Sequence, residues 1–145
     1  MRDVRVASDG TKFGQDITIG THRLRADEEA VHGGGDTGAG PHELLLGALG
    51  ACTSMTLRMY AERKGWPLTS VHVALSGGPA DGKYAITREI TMTGDLDAEQ
   101  RQRLLEIAEK CPVHRTLTGE VVIQTTVVPA CAGTSSSGTP TVRSR

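Results

Sequence analysis

The sequence has few aromatic residues, with one Trp, two Tyr and one Phe making up 3% of its 145 residues. Its core must therefore be aliphatic, although the length is sufficient for one domain that folds without disulfide or metal. Hydrophobic residues account for only 37% of the chain. That share is lean for a solitary monomer and favours burial of apolar surface between subunits.

The sequence also has no excess of one sign of charge, since its 16 Lys and Arg residues and 17 Asp and Glu residues give a net charge of −1. A nucleic-acid binder or a polybasic membrane-surface protein carries a basic excess, so both classes are disfavoured. No apolar run approaches the roughly 20 residues that span a bilayer. The N-terminal sequence MRDVRVASDG lacks the apolar centre of a signal peptide. We therefore expect a cytoplasmic protein with neither a nucleic acid nor a membrane as partner.

Motifs for metal, phosphate or serine chemistry are missing as well. His22, His32 and His42 stand in no HxxxH or HExxH spacing, and no CxxC pair occurs, so scattered surface histidines are favoured over a metal site. The GGG that follows His32 belongs to no GxGxxG or GK[ST] phosphate loop. Ser54 lacks the GxSxG elbow of serine hydrolases. The cysteines are left as the candidates for chemistry.

Hydrophobic patterning predicts elements in the order β-β-β-α-β-β-α-β, an α+β fold with a mostly antiparallel sheet. A long helix is predicted from Pro41 to Lys64, with Gly65 as its C-terminal stop. A second helix is predicted after Asp97, with Gln100 completing a capping-box-like pattern. We expect one domain over residues 1–128 and a disordered tail over 129–145. The predicted strands are Val4–Ala7, Asp16–Ile19, His22–Ala26, Thr69–Ser76, Tyr84–Thr93 and Glu120–Val128.

Two of the three cysteines, Cys52 and Cys111, stand in apolar helical surroundings. The first half of the long helix is apolar almost all round, which predicts that it is buried on every side. Cys111 ends the apolar stripe of the second helix, 59 residues after Cys52, so only the fold could bring the two thiols together. Cys131 falls in the predicted tail and is set aside as incidental. The helical row of Cys52 also contains Leu45, Leu49, Met55 and Met59, which predicts that its thiol faces packing partners.

The two positions differ in what could activate a thiol, since the thiolate is the nucleophile. Pro112 is a good first residue for a short helix to about Leu117, which places Cys111 at the N-cap, where the positive end of the helix dipole favours a thiolate. His114 and Arg115 add possible positive charge nearby. Cys52 has no local feature of this kind. Two interpretations stay open at this point: buried core cysteines, or a redox pair that forms a sulfenic acid and then a disulfide.

The segments PHELLLGALGAC and, some sixty residues later, CPVHRTL resemble the OsmC/Ohr family of osmotically inducible and organic hydroperoxide resistance proteins. The preceding RADEEAVHGGGDTGAGP is similar to the loop before that family's first long helix. The resemblance covers residues 15–128. It implies α+β subunits intertwined as a homodimer, with active sites at the interface.

The resemblance further implies a thiol-dependent peroxidase, in which Cys52 matches the peroxidatic cysteine and Cys111 the resolving cysteine. It implies organic hydroperoxides as substrates and a mechanism with neither haem nor metal, so no cofactor is expected. The implied reductant is a dithiol, a lipoylated protein in well-studied members. An alternative from another class is a non-peroxidatic dimer that binds a small apolar or thiol-bearing molecule in its interface cleft.

The glutamate and the arginine that the family places near its nucleophile do not fall on the matching positions of this sequence. The best-studied peroxidases carry a glutamate directly after the proline, where this chain has His42, and Glu43 follows one residue later. We take Glu43, or else His42, as the group that positions the thiolate. No arginine falls on the family's position in the N-terminal strands; the substitutes are Lys12, Arg23 and Arg25.

Overall fold

The N-terminal strands form a three-stranded antiparallel meander. The computed structural model describes residues 1–130, so Cys131 and the predicted tail after residue 130 lie outside the described residues. Strands β1 (Val4–Ser8), β2 (Gln15–Ile19) and β3 (His22–Ala26) pair in the order β1-β2-β3. Each lies within one residue of its predicted bounds, and the prediction of a meander is confirmed.

Helix α1 (Pro41–Lys64) has the predicted ends. Pro41 is its first residue, where the missing N–H costs nothing. Gly65 adopts a left-handed conformation with φ of 67°, and its N–H donates to the carbonyls of Ala61 and Glu62. Glycine adopts this conformation without steric cost, which is why the helix stops there.

Strands β4 (Leu68–Ala80) and β5 (Lys83–Gly94) form a long antiparallel hairpin. The sequence predicts the turn-rich segment GGPADG as their connection; the turn lies within this segment but is shorter, because β4 continues through its first four residues. The turn consists of Asp81 and Gly82 alone, with φ of 50° and 73°. Positive φ at both central residues is the conformation that matches the twist of hairpin strands, so an Asp-Gly pair suffices for the connection.

Two shorter helices follow, α2 (Ala98–Ala108) and α3 (Pro112–Thr118). The predicted capping box at the start of α2 is confirmed. The Gln100 N–H donates to Asp97 Oδ1 at 2.8 Å, and the Asp97 N–H donates to Gln100 Oε1 at 3.0 Å. α1, α2 and the hairpin enclose the core, which contains Leu57, Ala61, Leu96, Leu104, Ile107 and Ala108.

Helix α1 is not buried on every side within the single chain, contrary to the sequence prediction. Its buried residues lie on one face, because the hairpin and the other helices cover only that face: Leu49, Gly50, Thr53, Leu57 and Ala61. Leu45, Met55 and Met59 are exposed. By length and composition alone α1 could also cross a membrane, which apolar runs in the sequence did not predict. Core helices of soluble proteins meet the same criterion, so this finding is weak evidence of a membrane span.

The predicted final strand over Glu120–Val128 is not formed in the described chain. A strand is defined by hydrogen bonding to a neighbour, and no described strand pairs with this segment. Its apolar side chains consequently remain exposed: Val121, Val122, Ile123, Val127 and Val128. The α+β class and the order of the first seven predicted elements are confirmed.

The glycine-rich loop before α1 is organised around the buried carboxylate of Asp27. Its Oδ2 accepts hydrogen bonds from the Thr37 hydroxyl at 2.6 Å and from the Thr37 N–H at 3.2 Å. Its Oδ1 accepts from the Glu28 N–H at 2.8 Å. These bonds, chiefly the one from the Thr37 side chain, hold the pKa of the Asp27 carboxyl below its ordinary value of 3.8. The loop therefore enters α1 in a defined conformation.

We expect Asp27→Asn to lower Tm by several degrees at pH 7, because an amide nitrogen or a single oxygen cannot accept all three bonds. The folded-state pKa of Asp27 is below the unfolded value, so its stabilisation is present above about pH 3.8 and is lost as pH falls through the folded-state pKa. The Tm difference between wild type and variant should accordingly shrink in acid. Asp95→Asn, at an exposed carboxylate, is the control. An equal Tm difference at pH 7 and in acid would contradict this role.

Candidate active site

Cys111 is the N-cap residue of α3, as the Pro112 signal predicted. Its backbone is extended, with φ of −62° and ψ of 142°, and the His114 N–H donates to its Sγ at 3.4 Å. The residue is fully buried, with a relative exposure of 0%. The sulfur thus caps the first turn of α3 by accepting from a backbone N–H.

Thr53 of α1 contacts this sulfur. The Thr53 Oγ1 lies 3.8 Å from Cys111 Sγ, and both residues are fully buried. Cys52 precedes Thr53, so the fold brings the backbone of the long helix at Cys52 close to the start of α3. Both Cys52 and Cys111 are free thiols in this structure. The packing of α1 against α3 is thus what places the two cysteine segments together.

Cys52 itself flanks the buried face of α1 and is partly exposed. Its helical row is apolar, and two members on its C-terminal side, Met55 and Met59, are 64% and 69% exposed. Among residues 1–130, none makes a polar contact with the Cys52 sulfur. The thiol therefore lies at the edge of an apolar surface that the described residues leave uncovered, without a polar partner among them.

Arg88 of β5 is hydrogen-bonded to the threonine that contacts Cys111, and it was not predicted from the sequence. Its side chain is 10% exposed. Nη1 donates to Thr53 Oγ1 at 3.0 Å and to the Ala108 carbonyl at 3.4 Å. Nη2 pairs with Glu109 Oε1 at 2.7 Å, and the other oxygen of Glu109 lies 3.3 Å from His114 Nε2. A buried cation is thereby separated from the Cys111 sulfur by one hydroxyl group.

Both missed residues interrupt an apolar pattern in the sequence. Arg88 occupies an inward position of β5, where its neighbours two residues away are Ile86 and Ile90. Thr53 occupies the buried i, i+4 row of α1, between Leu49 and Leu57. A polar residue at a position that the period assigns to the core needs a buried partner, and that requirement was the available signal.

Glu43 and His42 make other contacts. The Gly40 N–H donates to Glu43 Oε2 at 2.7 Å, which is the half of a capping box that a glycine N-cap can make. Nine residues of helix turn Glu43 about 180° from Cys52 and place it about 13 Å away along the axis. His42 stacks on Tyr84, with 4.9 Å between ring centroids. The structure therefore shows neither side chain in contact with Cys52.

The three basic candidates in the N-terminal strands are engaged within their own sheet and loop. Arg25 forms an ion pair with Asp9, and its Nε donates to Thr37 Oγ1 at 2.8 Å. Arg23 donates to two backbone carbonyls at the β2–β3 turn. The Lys12 Nζ lies 5.0 Å from the Phe13 ring centroid. None of the three reaches either cysteine in the described chain.

An apolar cavity opens beside the cysteine segments. It has a volume of about 460 Å³, lies between α1 and the α2–α3 junction, and contains neither cysteine in its wall. The lining residues are Thr56, Met59, Tyr60, Arg63, Ile107, Lys110 and Pro112. Thr56 is one helical turn after Cys52, and Lys110 and Pro112 flank Cys111. The cavity could accept a small apolar group. Among residues 1–130, no group of three or more His, Cys, Asp or Glu side chains could hold a metal ion.

Residues 33–126 match the family model described as "OsmC-like protein". This range is well over half of the chain and includes both cysteines of the candidate site. The chain belongs to the OsmC-like family. No protein of curated function matches the sequence. The resemblance of the two cysteine segments to this family is therefore confirmed.

Solved structures share the OsmC-like fold. An OsmC-like protein from Mycoplasma pneumoniae is 20% identical with a TM-score of 0.70, over 82% of this chain and 88% of the other. An organic hydroperoxide resistance protein OsmC from Legionella pneumophila is 21% identical with a TM-score of 0.64, over 82% and 90%. The organic hydroperoxide resistance protein OhrB of Bacillus subtilis is 24% identical with a TM-score of 0.56, over 81% and 91%. At these identities the likeness establishes the fold.

Within this OsmC-like fold, the predicted site residues separate into two groups. Cys111 and the segment of Cys52 meet where α3 packs on α1, together with Thr53 and Arg88. Glu43 lies near the start of α1, where it caps the helix. An OsmC-like protein with this arrangement has a buried thiol beside a cation, and a second thiol at an apolar surface.

Proposed function

We propose that this OsmC-like protein is a thiol-dependent peroxidase that reduces organic hydroperoxides through a Cys52–Cys111 disulfide cycle. The observation that carries the proposal is the contact between α1 and α3, in which Thr53 Oγ1 lies 3.8 Å from Cys111 Sγ. Cys52 is the adjacent residue on α1. Two free thiols in adjoining segments, one partly exposed and one buried, support a division of roles into a peroxidatic and a resolving cysteine.

In the first step the Cys52 thiolate attacks the distal oxygen of the hydroperoxide ROOH. An S–O bond forms and the O–O bond breaks, so that sulfur is oxidised to a sulfenic acid and the leaving alkoxide takes a proton to become the alcohol ROH. In the second step Cys111 attacks the Cys52 sulfur. An S–S bond forms, the S–O bond breaks, and hydroxide leaves with the Cys111 proton as water. A dithiol, in our proposal a lipoylated protein, then reduces the disulfide by exchange.

The apolar cavity between α1 and the α2–α3 junction supports organic hydroperoxides over hydrogen peroxide as substrates. Its volume of about 460 Å³ would accommodate an alkyl or aryl group, and Thr56 on its wall is one turn from Cys52. Burial of the organic part contributes to binding in proportion to the apolar area removed from water. Hydrogen peroxide offers no such area.

A homodimer is the assembly that this proposal requires. Met55 and Met59 expose an apolar row beside Cys52, and the apolar segment after α3 lacks a strand partner in the described chain. A second copy that covers this row would exclude water from Cys52 and could supply a polar partner for its thiol, which has none among residues 1–130. We place the dimer in the cytoplasm, where thiols are kept reduced between turnovers.

The proposal is tested by thiol counting after treatment of the reduced protein with one equivalent of cumene hydroperoxide. Wild type should lose two thiols, and Cys111→Ser should accumulate a sulfenic acid on Cys52 that dimedone captures. Cys52→Ser should retain its thiols. If Cys52 reacts no faster than free cysteine, the peroxidase proposal is wrong.

A second candidate function is supported by the contacts of Glu43. Its carboxylate caps α1 rather than approaching Cys52, so the expected acid does not contact the proposed nucleophile in the described part of the chain. The alternative is a non-peroxidatic dimer whose interface cleft binds a small apolar or thiol-bearing molecule. In that case cumene hydroperoxide would leave the thiol count unchanged, whereas an apolar thiol would bind with a measurable dissociation constant that Met59→Lys weakens.

A further inference from the structure

Arg88, Thr53 and Cys111 form a buried chain of polar groups that the cysteine chemistry alone does not explain. Arg88 Nη1 donates to Thr53 Oγ1 at 3.0 Å, and Thr53 Oγ1 lies 3.8 Å from Cys111 Sγ. The Thr53 hydroxyl thus links the guanidinium nitrogen of Arg88 to the sulfur of Cys111 through two successive contacts. Thr53 and Cys111 are fully buried and the Arg88 side chain is nearly so, hence water screens the cation only weakly.

The hydrogen bonds of Thr53 fix how this chain of groups can act. A hydroxyl has one proton, and that of Thr53 is donated to the Leu49 carbonyl at 2.8 Å. Its oxygen accepts from Arg88, so towards Cys111 it can only accept, and the S–H of the thiol is the donor. When Cys111 loses its proton, the hydroxyl can rotate from Leu49 to donate to the sulfur while Arg88 holds the oxygen in place. The His114 N–H, 3.4 Å from Sγ, is the second donor.

We propose that Arg88, acting through Thr53, is a positioning residue that prepares Cys111 for attack on Cys52 in the resolving step. This role rests on the proposed function and adds to it a residue that sets the rate of the resolving attack. Arg88 supplies a positive charge near the developing thiolate. Thr53 supplies a hydroxyl that accepts a hydrogen bond from the Cys111 thiol and can donate one to the thiolate. Glu109 offsets part of the charge, but it pairs with Nη2, whereas Nη1 faces Thr53.

The attack of Cys111 can be measured without any hydroperoxide. In a Cys131→Ser background, Ellman's reagent should label the partly exposed Cys52 first, as a mixed disulfide that releases one thionitrobenzoate. Cys111 then attacks the Cys52 sulfur, an S–S bond forms between the cysteines, and the mixed disulfide breaks to release a second thionitrobenzoate. The rate of this second absorbance phase reports the resolving attack directly.

We expect Arg88→Gln and Thr53→Val each to slow the second phase by about tenfold, the factor expected for loss of a charge-assisted contact. Arg88→Lys and Thr53→Ser should restore much of the rate, because the charge and the hydroxyl return. Arg101→Gln is the matched control. Arg101 is half-buried and donates to the carbonyls of Met92, Gly94 and Leu96, with no contact to a cysteine. Its second phase should keep the wild-type rate.

The proposal is overturned if wild type shows no second phase, or if Arg88→Gln and Thr53→Val form the Cys52–Cys111 disulfide at the wild-type rate. It is also overturned if Arg101→Gln slows the second phase equally, or if Arg88→Lys and Thr53→Ser restore none of the lost rate. Either result would mean that the substitutions act by loss of structure. A parallel measurement with cumene hydroperoxide separates this proposal from the peroxidase function. A wild-type protein that closes with Ellman's reagent but ignores hydroperoxide would refute the function and leave the role of Arg88 standing.

Discussion

Replacement of Cys52 by serine is expected to reduce hydroperoxide consumption at least about 100-fold, since a hydroxyl cannot replace a thiolate as nucleophile. The measurement is steady-state consumption of cumene hydroperoxide with a dithiol as reductant. Cys111→Ser should also stop the cycle at disulfide formation, while it permits one turnover at Cys52. The two variants thus fail at different steps.

The matched control for Cys52→Ser is Cys131→Ser. Cys131 lies outside the described residues and takes no part in the proposed cycle, so its variant should consume hydroperoxide at the wild-type rate. Hydroperoxide consumption by Cys52→Ser that stays within a few-fold of wild type would exclude Cys52 as the nucleophile. Activity lost equally in Cys131→Ser would assign the chemistry to a different pair.

Introduction of a lysine at Met55 is expected to dissociate the dimer. Met55 is 64% exposed in the single chain, so a charge there should leave the subunit folded. In the proposed dimer the row of Met55 is covered by the second copy, and a buried unpaired charge costs several kcal/mol. The dissociation constant of the dimer should therefore rise at least about 100-fold, as measured by sedimentation velocity over a range of concentrations.

Met55→Leu is the control for this experiment, because it retains an apolar side chain of similar volume and should retain the dimer. Peroxidase activity of Met55→Lys should fall together with the dimer fraction, since Cys52 lies in the same helical row. A Met55→Lys variant that sediments as wild type would show that this row of α1 is not the interface. A monomer with full activity would show that the site is complete in one chain.

Local signals in the sequence predicted most elements of the fold. Pro41 and Gly65 mark the ends of α1, and the pair Asp97 and Gln100 marks the start of α2, because these residues satisfy backbone groups at the helix ends themselves. The hairpin connection was predicted too long, since Gly-Gly-Pro reads as a break although β4 runs through it. The strand over Glu120–Val128 was predicted from hydrophobic patterning, and such a pattern does not specify which edge a strand pairs with.

The candidate site was only partly predictable. The position of Cys111 at the N-cap of α3 follows from Pro112, a local signal. Arg88 could not be placed beside Cys111 from sequence, because that contact depends on how the hairpin packs against α1 and α2. The burial of α1 was overestimated for a related reason. An apolar helix face predicts that something covers it, without saying whether the cover is the same chain or a second one.

The most direct test of the cysteine cycle is a peptide map of the protein after one equivalent of cumene hydroperoxide, with free thiols alkylated before digestion. We expect one dominant cross-linked species that joins the peptides of Cys52 and Cys111, with Cys131 alkylated. A map in which Cys52 and Cys111 both remain alkylated, or in which Cys131 forms the disulfide, would contradict it.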